Sequence, residues 1–74
     1  MDKPSEKQVH DALGVIVDNH NAKALNYAVD YAKEGLNMSG HELHVHCLHV
    51  LNNMTHWRGE EAKQVRDVLK RFTK

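Results

Sequence analysis

Ser39-Gly40-His41-Glu42-Leu43-His44-Val45-His46-Cys47-Leu48-His49-Val50-Leu51-Asn52-Asn53 is the stretch on which the fold turns. It opens with serine and carries glutamate three residues later, the pattern of a reciprocal helix-capping box. At about 100° per residue, Leu43, Cys47, Val50, Leu51 and the following Met54 share one face. The reading is a single α-helix ending at Asn52 or Asn53. It buries its leucine side and carries four histidines within the nine residues His41 to His49.

Working outward, the other segments read the same way. Ser5 with Gln8 three residues on predicts a second capping box, with Pro4 stopping any earlier helix. Val9, Leu13 and Ile16 then recur at helical spacing. Gly14 and the β-branched Val15-Ile16-Val17 run leave a short strand as the alternative for that segment. Asp18-Asn19-His20-Asn21 reads as a turn, with Asn21 capping the next helix. Ala22, Leu25, Ala28, Val29, Ala32 and Leu36 form that helix's apolar stripe, and Gly35 ends it. Tyr27 and Tyr31 stand one turn apart on its flank. After the central helix, either Thr55 caps a fourth helix or the break falls at Gly59. Ala62, Val65, Leu69 and Phe72 define the last amphipathic segment. No repeat or linker interrupts the chain. The sequence predicts one domain over residues 1–74, an all-α, compact bundle of three to four short helices.

Length and composition narrow the chemistry. A chain of 74 residues buries a modest core, rarely worth more than ~3–5 kcal/mol net, so packing, a metal or self-association must supplement it. Cys47 is the only cysteine, which excludes an intrachain disulfide. The longest β-branched apolar run falls far short of a membrane span. The Met1-Asp2-Lys3-Pro4 start lacks the apolar core of a secretory signal, so a cytoplasmic location with no membrane partner is expected. Net charge is zero, yet residues 1–37 hold four lysines against six acids and residues 38–74 six basic residues against four acids. That dipolar distribution suits self-association as readily as an acidic partner.

Histidine is the residue type here best suited to metal or proton chemistry near neutral pH. Glu42, His46, His49, Asn53 and His56 fall on one stripe, roughly opposite Leu43, Val50 and Met54. Glu42, His46 and His49 stand at i,i+4 and i,i+3 spacings that could chelate a transition metal. A zincin site wants His-Glu-x-x-His, whereas Val45 stands where the second histidine belongs, so a metalloprotease is excluded. One helix also supplies too few ligands for a complete zinc site, and no cofactor is expected. Cys47 reads as a buried thiol rather than a nucleophile. With no glycine-rich phosphate loop and no nucleophile elbow, the chain is not expected to be an enzyme.

The functional expectation is therefore a small protein-interaction module, homo-oligomeric, acting as a regulator or inhibitor of a larger protein. The stripe is polar but poor in permanent charge, as interface cores are. Its contact residues are expected to be His46, His49, Asn53, His56, Trp57 and Arg58, since tryptophan and arginine dominate interface energetics. Trp57 also reads as a core residue closing the third helix onto the fourth. Two alternatives accompany this reading. A small DNA-associated protein would use the basic last helix, through Lys63, Arg66, Lys70 and Lys74. The stretch Ala32 to Ser39 has the helix-turn-helix spacing, but the helix after it carries no lysine or arginine before Arg58, so nucleic acid is a weak partner. A metal-responsive module would use Glu42, His46 and His49.

Overall fold

The computed structural model describes residues 3–74, so Met1 and Asp2 of the opening segment lie outside the described residues. Four α-helices follow one another, α1 over Glu6–Asp18, α2 over Asn26–Gly35, α3 over Gly40–Asn52 and α4 over Glu60–Thr73. There is no strand among the described residues, and Val15–Val17 belongs to α1. α1 packs against α2 and α4, and α3 packs against the same two helices from the other side. Bonds between elements fix the directions. The imidazole of His10, near the start of α1, donates from Nε2 to the carbonyl of Met38 at 2.9 Å, just past the end of α2. Asn19, at the end of α1, donates from Nδ2 to Glu61 at the start of α4 at 3.3 Å. Neighbours around the ring are therefore antiparallel, the up-down-up-down order that short connections favour.

The α1 capping box forms as read. Ser5 Oγ accepts from the Gln8 amide at 3.2 Å while Gln8 Oε1 accepts from the Ser5 amide at 2.8 Å. The start of α2 is corrected. Asn21 does not cap it. The turn closes by tight i→i+3 bonds, Ala22 to Asn19 and Leu25 to Ala22, and a 3-10 turn over Lys23–Leu25 delays the α-helix to Asn26. The α3 capping box is corrected too. The Ser39 side chain makes no cap bond, and Gly40 enters the helix at φ +60°. That left-handed value, cheap for glycine, takes the chain out of the usual cap geometry. The exposed amide is satisfied from another helix instead: Gly40 N–H donates to Glu6 Oε2 of α1 at 2.7 Å.

Between α3 and α4 the chain turns over residues 53–59. Thr55 caps nothing, and the break falls at Gly59, which adopts φ 116° to open α4. Glu60 and Glu61 then sit in the first turn of α4, where carboxylates favour the positive end of the helix dipole. Val9, Leu13, Ile16, Leu25, Leu43, Val50, Met54 and Leu69 are fully buried and join the four helices in one core. Among the described residues no buried side-chain nitrogen or oxygen lacks a partner. Nor is any helix of the described chain long and apolar enough to cross a membrane.

Candidate interaction surface

The orientation of α3 is decided at Gly35. This glycine is buried at the end of α2, and a Cβ there would lie 2.8 Å from Leu13 Cδ1 and 3.3 Å from His46 Cδ2. The absent side chain lets α2 and α3 approach closely. His46 fills that contact. Its side chain is turned inward, leaving 8% of the residue exposed, and Nε2–H donates to the Tyr31 carbonyl at 2.6 Å. A carbonyl can only accept, so this bond sets which ring nitrogen carries the proton. The Tyr31 ring stands edge-on to His46 at 5.5 Å and stacks on His49 at 5.8 Å, with planes 17° apart.

Of the stripe of Glu42, His46, His49, Asn53 and His56, His46 and His49 meet Tyr31 of α2, whereas His56 falls in the turn beyond α3, so the five do not form one outward face. His46 is core, and its place in a contact surface is corrected. Trp57 takes its core reading rather than its contact one: 7% of it is exposed, its carbonyl accepts from Arg66 Nη2 at 2.8 Å, and it closes the corner between α3 and α4. Asn53 is half-buried and donates from Nδ2 to the His49 carbonyl at 2.8 Å, which satisfies the end of α3. His49, His56 and Arg58 are exposed. The metal expectation is corrected as well. Glu42, His46 and His49 do not converge, and among the described residues no three His, Cys, Asp or Glu side chains could hold an ion.

The outward face of α3 is instead His41, Val45, Leu48 and Asn52, all exposed at i, i+4, i+7 and i+11. Val45 and Leu48 keep 40% and 43% of their surface in water. Glu42 and His49 border this face toward α2. His44 borders it toward α4, its ring 6.0 Å from that of His41 and 6.1 Å from that of Phe72. Glu42 is the one permanently charged group among these residues, and it stands at the N-terminal end. Tyr27, on α2, is 71% exposed. Val45 and Leu48 are the residues that sequence reasoning missed. The signal was present, because the true antipode of Leu43, Cys47 and Val50 at about 100° per residue is this set.

The basic residues of the DNA alternative are partly brought together. Lys63, Arg66 and Lys70 line one shallow cavity of about 240 Å³ with Asp67, while Lys74 lies exposed at the end of the chain. Compared with models of protein families, with curated proteins and with solved structures, the chain matches none of them.

Proposed function

We propose that the chain is a small, non-enzymatic protein-interaction module that pairs with a second copy of itself through the outward face of α3. The observation that carries this reading is the exposed aliphatic pair Val45 and Leu48, set in a stripe with His41 and Asn52 that contains no permanent charge. Isolated apolar residues on a surface need no account, but two neighbours one turn apart with uncharged flanks form the centre of a contact patch. A symmetric dimer uses the same patch on both subunits. Crossing two α3 helices in antiparallel fashion would bury Val45 and Leu48 against their copies and hold the two Glu42 carboxylates at opposite ends. His41, His49 and Asn52 supply neutral donors and acceptors at the rim. A second copy also adds the apolar burial that a domain of this size is short of.

Sedimentation velocity over low to high micromolar protein tests it. The wild type is expected to shift from monomer toward dimer, and Leu48→Glu, at an exposed position outside the core cluster, is expected to remain monomeric with an unchanged circular dichroism spectrum. A wild type that stays monomeric throughout overturns the reading.

A further inference from the structure

A second surface, which shares only Asn52 with the α3 face, is built for an anion. Where α3 ends and α4 passes beside it, Leu51, Asn52, Thr55, Arg58, Arg66 and Lys70 line a cavity of about 440 Å³. Three of these six are cations, two carry neutral polar side chains, and none is acidic. Cations on a protein surface ordinarily find carboxylates. Arg71 pairs with Asp67 at 3.1 Å and Lys7 with Asp11 at 3.4 Å. Arg58, Arg66 and Lys70 form no ion pair with any described residue. Asp67 lines the adjoining cavity with Lys63, Arg66 and Lys70 and is already engaged by Arg71.

Arg66 gives the cluster a fixed geometry. Its Nη2 donates to the Trp57 carbonyl at 2.8 Å and to the Met54 carbonyl at 3.4 Å, which ties the guanidinium to the turn between the helices. The remaining donors of the same planar group are then held in place rather than swinging in solvent, and less entropy is lost when they engage a ligand. Arg58 comes from the turn itself and Lys70 lies one turn beyond Arg66 on α4, so three positive charges reach one concavity from separate points of the chain.

We infer that this cavity is a phosphate-binding site, in which Arg58, Arg66 and Lys70 neutralise a phosphate group and Asn52 and Thr55 donate to its remaining oxygens. Phosphate suits the set better than a carboxylate does. A phosphate monoester presents three acceptor oxygens and close to two negative charges, a backbone phosphodiester two free oxygens and one charge, and guanidinium forks bind such oxygens two at a time. The phosphate can belong to a small phosphorylated molecule or to a nucleic-acid backbone, and the two sources respond differently to probes.

An NMR titration of the full-length chain separates them, using pyrophosphate in one series and a short DNA duplex in the other at matched ionic strength. Pyrophosphate is expected to move the Thr55 and Arg58 amides and the Arg66 side-chain Nε–H in a saturable way, which assigns the site to small phosphates. Movement of the same signals by the duplex alone assigns it to a polynucleotide backbone. The pair of substitutions Arg58→Gln and Lys70→Gln touches two exposed side chains and leaves the Arg66 tether intact. It is expected to weaken the binding about tenfold or more while the thermal midpoint stays put. The assignment is overturned if neither probe at millimolar concentration moves these signals, or if the doubly substituted chain binds as tightly as the wild type.

Discussion

Gly14 and Gly35 both lie within helices, yet the same substitution should act on them in opposite directions. At Gly14, inside α1, an added Cβ meets nothing within 4 Å. Alanine there gains helix propensity and restricts the unfolded chain, so Gly14→Ala is expected to stabilise by up to about 1 kcal/mol. At Gly35 the same methyl would stand 2.8 Å from Leu13 Cδ1, in a fully buried part of the core. Overpacking of that kind typically costs about 1–3 kcal/mol, which exceeds the propensity gain. Urea unfolding of the two variants, with unchanged slopes, checks the signs. Cys47 offers a second test at this scale. Burial pushes its thiol up to about 11 from the ordinary value of 9.0. The fold therefore favours the protonated thiol. Its contribution is complete below the unfolded value and is lost as pH rises from about 9 toward 11, by on the order of 2 kcal/mol. The measurement is a difference between the two chains at each pH. Cys47→Ala should lose a pH-independent increment to its small cavity and show a flatter alkaline limb than the wild type.

Two serines at two helix starts carry the same short pattern, and only one of them caps. Ser5 is expected to lose about 1 kcal/mol on substitution by alanine, whereas Ser39→Ala should fall within a few tenths. The amide at the start of α3 answers to Glu6 instead, so Glu6→Ala is expected to cost about 1 kcal/mol although it lies 34 residues away in sequence. Thermal melts of the three variants give the ranking. The contrast shows what was legible in the sequence. The helices, their core faces and the α1 cap rest on spacings of three and four residues, which a chain displays directly. The α2 start and the α3 cap rest on a tight turn and on a carboxylate from another helix. No local pattern announces either. The rotation of α3 lies between these cases. Periodicity identifies its buried side, but which flank meets α2 depends on Gly35 opening a space that His46 occupies. Reading the imidazoles as one outward stripe overlooked that space, and with it the aliphatic pair on the true outer face.

At the scale of the molecule, the bundle measures 30 × 24 × 18 Å and layers its charge. The half of the chain that forms α1 and α2 carries a net −2, and the half that forms α3 and α4 a net +2. The outer face of α3 interrupts the basic side with uncharged groups, and the cavity of Arg58, Arg66 and Lys70 concentrates the positive charge at its C-terminal corner. Pairing through α3 would leave this corner near the edge of the interface, so association and anion binding are separable by mutation. They also differ in their effect on stability. A partner that binds only the folded chain stabilises it by mass action, and because free monomer is depleted as dimers form, a hundredfold rise in concentration above the dissociation constant is worth about 1 kcal/mol per chain. For a domain of this length one kilocalorie moves the melting midpoint by about 4–8 °C. Raising the protein concentration a hundredfold from near the dissociation constant should therefore raise the wild-type midpoint by about 5 °C, measured by circular dichroism at constant buffer. Leu48→Glu should melt at one temperature across the series, matching the dilute wild type. A wild-type midpoint indifferent to concentration would mean that Val45 and Leu48 contribute nothing to stability through a second copy. The 74-residue core would then stand on its own packing.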